Sequence, residues 1–522
     1  MSTSNIWILV AFVAYMSMMI VVGVIYSRSS KNAQDYFLGG RGLNGWFAAL
    51  SAQASDMSGW LLMGLPGAIY ALGTGEVWIA VGLFIGTVLN WLFISKRLYR
   101  YTIRANNSMT LPEYFTNRFH DEKKILLAIS SVIIVIFFLV YTASAFASGA
   151  KLFNVVFGTP YHIALLIGAG VILLYTFLGG FLAVCATDFI QGLLMIVALV
   201  TIPIAAYFII GGENIAAALD ASGVAGGAAS FMDPLQDGGK PVTAISIISN
   251  LAWGLGYCGM PHILVRFMAV KNETELKKSK AIGIIWCFIS LVFACIIGVV
   301  GRAYLYASSG LVLGDNGTSS ENVFIQMITF MFNNDIAAPL IGGIFICGIL
   351  AAIMSTADSQ LLVASASMSQ DLIKGVFKKD AKDSQILVIG KITVVCVAII
   401  AFFIAWDPNN SIMGLVSNAW AGLGAAFGPT VLMSLYWKRT NMQGAFAGMV
   451  SGALAVIIWD YIPLAGGQTL GKATGLYSLL IGFALSIFCI VVVSLVTKKP
   501  SEAMEQEFAD AASEKNLDEY LG

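Results

Sequence analysis

Long stretches of apolar residues, each about the length that crosses a lipid bilayer, run through the chain from end to end. Thirteen can be placed, at about 6–26, 45–72, 77–95, 125–152, 161–182, 188–211, 242–262, 281–306, 338–362, 386–406, 412–437, 443–460 and 475–496. A hydrocarbon core of about 30 Å is spanned by roughly 20 helical residues. Nearly every stretch is apolar around its whole circumference, which predicts helices; barrel strands would alternate. Of the 522 residues, 58% are hydrophobic and only 11% charged, against about a quarter charged in soluble domains. So few charges cannot cover a water-facing surface, and the sequence predicts an all-α integral membrane protein of about 13 transmembrane helices. The formal net charge is zero, and nothing points to a nucleic-acid partner.

The opening residues MSTSN lack the basic stretch of a signal peptide, and the apolar run to Tyr26 is too long for one, so it reads as a retained first helix. Seven cysteines, at 185, 258, 287, 295, 347, 396 and 489, all fall inside apolar blocks and read as small buried hydrophobes. His120, His162 and His262 are too scattered for a histidine metal site. No cofactor is expected.

Loop charge orients the chain, because Lys and Arg stay on the cytoplasmic side. Arg28, Lys31 and Arg41 mark the first loop, and Lys96, Arg97, Arg100, Arg104, Arg118, Lys123 and Lys124 the third. Arg266, Lys271, Lys277, Lys278 and Lys280 follow, then Lys374, Lys378, Lys379 and Lys382, then Lys438 and Arg439, and finally Lys498 and Lys499. The alternate loops are poor in basic residues, and the short fifth loop is uncharged. This pattern predicts the N-terminus outside and the C-terminus inside. Residues 323–337 are expected to form an extracellular helix on the mouth of the bundle, and the acidic segment 498–522 a solvated cytoplasmic tail. Residues 1–497 then form a single transmembrane domain.

Three stretches make the membrane interior polar. Span two reads Ser51-Ala-Gln-Ala-Ser-Asp-Met-Ser-Gly-Trp60. Asp56 falls near mid-bilayer, where a charge costs at least about 2.5–3.5 kcal/mol. Its neighbours Ser55, Ser58 and Gly59 loosen helical hydrogen bonding, and an unwound turn frees carbonyls for a hard cation. Plain helix packing would need the small residues but not the acid. Span seven reads Asn250-Leu-Ala-Trp-Gly-Leu-Gly-Tyr-Cys-Gly-Met-Pro261-His262, where three glycines and a proline predict a second break. Trp253 and Tyr257 would share one face of that helix if the turn between them stayed helical. Span nine carries Ala351-Ala-Ile-Met-Ser-Thr-Ala-Asp-Ser359, with adjacent hydroxyls on Ser355 and Thr356. Those hydroxyls bond to their own helix or serve as hard oxygen ligands.

The two breaks lie five spans apart, and a five-helix unit followed by its copy must reverse orientation. Broken helices at matching positions of two halves point to the binding site of a secondary transporter. The halves show no convincing identity, so the repeat rests on layout.

The segments ALSAQASDMSGWLLMGLPG (49–67), WGLGYCGMPH (253–262) and AAIMSTADSQLL (351–362), with YFLGGR (36–41) and FMA (267–269), resemble the sodium/solute symporter family, most closely its sodium/proline symporters. The resemblance runs from about residue 8 to 497. It implies a core of two inverted five-helix repeats, about 45–211 and 242–437, of the kind in bacterial leucine transporters. It implies sodium-coupled uptake of L-proline across the inner membrane by alternating access, with Na⁺ as coupling ion. By motif, the sodium site would use the carbonyls of Ala54, Met57 and Ala352 and the hydroxyls of Ser355 and Thr356. Asp56, Ser58, Gly59, Arg41 and Asp188 would serve sodium coupling, with Asp188 at the start of span six. Tyr141, Trp253, Tyr257 and Pro261 would form the solute site. The sequence departs from the proline carriers at Cys258 and Met260, where they resemble Gly-Tyr-Phe-Gly-Gln-Pro-His.

Chemistry fits a compact zwitterion: aromatic faces suit its ring and ammonium, and helix N-termini its carboxylate. Another amino acid or an uncharged sugar would also fit. A passive channel fits less well, since one chain with two offset helix breaks suits alternating access better than a continuous pore. A sensor or intramembrane enzyme would need a signalling domain or a catalytic constellation that the sequence does not present.

Overall fold

A computed structural model describes residues 3–27, 36, 39–177, 180–316, 319–336, 338–378, 380–463 and 467–513. Arg28 and Lys31 of the first loop, Phe37 and Leu38 of YFLGGR, Lys379 and the tail beyond Ser513 lie outside the described residues. Among the described residues, nine helices are long and apolar enough to cross a membrane, which makes this a multi-pass membrane protein.

The chain opens with α1 (Thr3–Ser27). Span two is split into α2 (Gly45–Asp56) and α3 (Leu65–Leu72), with a π-helical turn Trp60–Gly64 between them. Then come α4 (Val77–Leu89) and α5 (Ser95–Arg104), joined by a second π turn, the short α6 (Leu111–Arg118), α7 (Ile125–Phe157), α8 (Tyr161–Thr176) and α9 (Phe181–Ile210). Span seven is split into α10 (Ala244–Leu251), a 3₁₀ segment Ala252–Gly259, and α11 (Pro261–Met268). After α12 (Glu273–Ser309) and the short α13 (Val323–Phe330) come α14 (Pro339–Ala366), α15 (Asp383–Ile404) and α16 (Ile412–Tyr436). The peripheral pair α17 (Met442–Tyr461) and α18 (Ser478–Val496) and the tail helix α19 (Glu502–Ala512) complete the chain. Polar side chains start many of these helices: Asn44, Thr110, Asn272, Ser411, Asn441 and Ser501 each accept from a backbone N–H in the first turn.

The two broken helices run antiparallel. Leu43 N–H donates to the Ala269 carbonyl at 3.1 Å and Lys271 N–H to the Leu43 carbonyl at 2.9 Å, so the start of one lies against the end of the other. Arg41 completes this junction. It donates to Asn107 Oδ1 (2.6 Å), the Ser108 carbonyl (2.8 Å) and the Met268 carbonyl (2.5 Å). Burial lowers its guanidinium to about 10, which leaves it charged at neutral pH.

Several expectations change. Asp188 stands two turns inside α9, which begins at Phe181, rather than at the start of its span. Arg266 and Arg118, counted with the loops, are both fully buried. Arg266 belongs to the last turn of α11, and the four basic residues 96–104 ride on α5, a helical continuation of span three. Of the cysteines, 185, 287 and 347 are buried but Cys396 is exposed, on the apolar α15. A lipid-facing helix does not require its thiols to be enclosed. Residues 323–335 are helical as expected, and Phe324, Ile325 and Ile328 are buried.

Glycine at both breaks does more than loosen a helix. Gly59 has ordinary helical angles (φ −53°, ψ −25°), but a Cβ there would lie 2.3 Å from Ser148 Oγ on α7. In span seven, a Cβ on Gly254 would meet the Gly82 carbonyl of α4 at 2.2 Å, and one on Gly259 the Gly428 nitrogen of α16 at 2.6 Å. These glycines let neighbouring backbones close in on the turns.

Candidate functional site

At the first break, α2 stops because Met57 leaves helical angles (φ −85°, ψ 83°). The turn is re-tied locally. The Asp56 carbonyl accepts from Ser58 N–H (3.1 Å) and from the Trp60 indole (2.9 Å), and Ser58 Oγ accepts weakly from Trp60 N–H (3.4 Å). The Ala54 carbonyl is met from α14 instead. Ser355 Oγ donates to it at 2.7 Å and Thr356 Oγ1 at 3.2 Å, while Ser355 Oγ also lies 3.2 Å from the Ala352 carbonyl. Four of the five expected oxygen-bearing residues therefore converge between α2 and α14. Met57 follows on the adjoining non-helical turn. Such an all-oxygen set suits a hard cation.

Asp56 is fully buried. Its Oδ2 accepts from the Tyr257 hydroxyl at 2.7 Å, and Oδ1 has no hydrogen-bond partner among the described residues. A buried carboxylate oxygen without a donor is rare, and this one belongs to a residue lying between Ala54 and Met57 in the broken turn. Tyr257, expected among solute residues, therefore touches the acid expected to serve the ion.

The second break departs from α-helical spacing. Residues four apart are about 40° apart on an α-helix but about 120° apart on a 3₁₀ helix, so Trp253 and Tyr257 do not share a face. Trp253 stacks on Tyr477 (centroids 5.1 Å apart) and lines a cavity of about 480 Å³ with Asn418, Asp460, Lys472 and Tyr477. Tyr257 does not line that cavity; its ring stands edge-on to Trp420 at 5.1 Å. Met260 is extended, and Pro261 opens α11 at its first turn, where the missing N–H costs nothing. Tyr141 on α7 is fully buried, its ring edge-on to His262 at 6.0 Å.

Asp188 and Arg41 occupy different places. Asp188 Oδ2 accepts from Ser51 Oγ (2.7 Å) and Ser55 Oγ (3.1 Å), and it lies 3.4 Å from Arg266 Nη2. Arg266 also donates to Ser359 Oγ (2.6 Å), which in turn meets Ser55 Oγ at 2.8 Å. This buried polar cluster adjoins the ion-type oxygens through α2 and α14. Arg41 stays at the helix ends, away from both.

Sequence reasoning missed three residues of this centre. Arg266 left a signal, a lone arginine inside Pro-His-Ile-Leu-Val-Arg-Phe-Met. Ser359 stood in a stretch already marked. Trp420 left none, since a tryptophan in an apolar span carries no mark of what it will meet.

A family model described as the sodium:solute symporter family matches residues 36–452. The high-affinity proline transporter PutP of Bacillus subtilis (strain 168) is 44% identical over 493 residues, 94% of this chain and 98% of that protein. The sodium/proline symporter of Escherichia coli (strain K12) is 43% identical over 513 residues, 96% of each chain. Among solved structures, a substrate-bound, outward-open Na⁺-coupled sialic acid symporter superposes with a TM-score of 0.77 at 19% identity, covering 96% of this chain and 99% of the other.

Proposed function

The chain belongs to the sodium:solute symporter family, and from that premise we infer that it carries proline into the cell together with Na⁺ by alternating access. It is a transporter and not an enzyme. Near-full-length similarity to proline transporters supports the solute. The apolar stretches support thirteen spans, the loop charges an N-terminus outside and a C-terminus inside, and the resemblance inverted core repeats at about 45–211 and 242–437; a cytoplasmic tail at 498–522 and placement in the cell's inner membrane complete the reading.

The ion is taken by the carbonyls of Ala54, Met57 and Ala352 and the hydroxyls of Ser355 and Thr356, so its binding draws α2 against α14. Asp56 supplies the compensating negative charge, Ser58 and Gly59 shape its turn, and Asp188 forms a second acidic point behind it. Arg41 pins the cytoplasmic ends of the two broken helices together. Proline is taken at the second break by Tyr141, Trp253 and Tyr257, with Pro261 restarting the helix beyond it.

The observation that carries this reading is the 2.7 Å hydrogen bond from Tyr257 to Asp56, because it joins the ion-type oxygens to the solute turn. A shift of the turn on binding solute changes the setting of Asp56, and a cation beside Asp56 changes what holds Tyr257. Linkage then requires each ligand to raise the other's affinity by the same factor.

Uptake of labelled proline into proteoliposomes, with and without an inward sodium gradient, tests the function. Saturable, sodium-driven accumulation is expected, and uptake indifferent to sodium would overturn it. The departures at Cys258 and Met260 favour one second reading, another small solute on the same ion machinery. Sodium-driven uptake competed by that solute and not by proline would establish it.

A further inference from the structure

Trp420 is 1% exposed and lies directly against the 3₁₀ turn of the second break. Its indole N–H donates to the Trp253 carbonyl at 2.8 Å, and its ring plane stands at 86° to that of Tyr257. The turn is shaped to receive it. A Cβ on Gly256 would lie 2.1 Å from the indole nitrogen, and one on Gly424, a turn further along α16, would lie 2.8 Å from the Gly256 Cα.

A 3₁₀ turn has poorer hydrogen-bond geometry than an α-helix and persists only in short pieces. An outside donor on one of its carbonyls therefore has leverage over its register. From that turn the Tyr257 hydroxyl reaches Asp56. Three side chains thus connect α16 to the break in α2: an indole, a phenol and a carboxylate.

We propose that Trp420 is a positioning residue for symport: it holds the Ala252–Gly259 turn where Tyr257 keeps its hydrogen bond to Asp56, and so sets proline and sodium affinity together. The proposal rests on the sodium–proline reading above. Trp420 acts through Tyr257 and is not itself assigned to either ligand.

Trp420→Phe keeps a ring against Tyr257 and removes the donor to Trp253. In purified carrier in proteoliposomes, half-saturating proline and half-saturating sodium should both rise, on the order of tenfold, as for loss of one buried hydrogen bond. Maximal velocity per inserted carrier should change little. In a Tyr257→Phe background, where the onward link is already cut, Trp420→Phe should no longer move the sodium constant. Unchanged constants, a fall in velocity alone, or a full additive effect in the Tyr257→Phe background would each overturn the proposal. If Trp420→Phe fails to accumulate, Gly256→Ala displaces the same indole and should give the same paired shift; a velocity defect alone would again overturn it. A parent carrier without sodium-dependent proline uptake would remove the functional reading itself, and this inference with it, before any variant is compared.

Discussion

The Tyr257 hydroxyl donates to Asp56 Oδ2 across 2.7 Å, with both residues buried at the breaks of two antiparallel helices. Each stands eleven residues from the end of its broken helix at the Leu43–Val270 junction, Gly45 for Asp56 and Met268 for Tyr257. The two breaks therefore meet at one depth, and the bond spans them. A hydrogen bond to a charged group is worth about 1.5–3 kcal/mol, enough to couple two sites by a factor of ten or more.

Tyr257→Phe removes the donor and leaves the Asp56 carboxylate without the one side-chain hydrogen-bond partner it has among the described residues. Half-saturating sodium and proline should both rise about tenfold. Asp56→Asn should raise the sodium requirement at least as much, because it removes the charge itself. Its abundance in the membrane should hold, since an amide costs less there than a carboxylate. Sodium-activation curves of uptake in the two variants check both; a Tyr257→Phe effect confined to proline would place the hydroxyl outside the ion mechanism.

Ser355→Ala and Thr356→Ala each remove one oxygen facing the Ala54 carbonyl. Each should weaken sodium binding, and proline affinity should fall with it but recover as sodium is raised. Isothermal sodium titration followed by proline binding at saturating sodium measures this. A proline defect that persists at saturating sodium would assign the pair to the solute turn or to packing.

The helical, multi-pass character, the two breaks and the buried acid at the first of them were legible because membrane burial forces them into composition: apolar length, clustered glycine and a costly charge. What was not legible is which side chains meet. Trp253 and Tyr257 looked like one face because four residues are nearly one α-turn, but the segment winds as 3₁₀ and separates them. Tyr257 and Asp56 looked like members of two sites, since nothing in a linear order says that two breaks face each other at one depth. Arg266 was counted with the loop basics because it stands near a helix end; its burial rests on partners distant in the chain, Asp188, 78 positions earlier and within 3.4 Å, and Ser51 and Ser359, which accept from it at 3.1 and 2.6 Å.

Arg266 and Asp188, both fully buried, lend themselves to a charge test. Removing one partner of a buried ion pair costs about 3–5 kcal/mol, whereas replacing both is often near neutral. Arg266→Met and Asp188→Asn should each lower the melting temperature of the purified carrier in detergent, and the double variant should recover most of the loss. If Asp188 serves only to neutralise Arg266, the double variant will also transport. A stable double variant with a raised sodium requirement is the outcome expected from its place behind the ion-type oxygens.

The last expectation concerns α19, which is docked rather than free. Met504 and Ala511 are buried, and the Arg118 guanidinium lies 5.4 Å from the Phe508 ring and 5.0 Å from the Tyr101 ring. Arg118 is itself held by the Ser434 carbonyl at 3.2 Å. Arg100 also donates to the Ser513 carbonyl at 2.6 Å, so the helix is tied at its far end. A His120–Glu507 contact at 3.0 Å adds a polar link, but its side chains are 40% and 37% exposed, and pairs of that kind contribute at most about 1 kcal/mol. Packing of the half-buried Phe508 ring together with its cation–π contact contributes more, on the order of 2 kcal/mol. Phe508→Ala should therefore release the helix, seen as faster amide exchange across 502–512 and easier proteolysis there, while Glu507→Gln should leave its protection close to the parent's. The reverse order would mean that charge, and not the aromatic contact, holds α19 to the bundle.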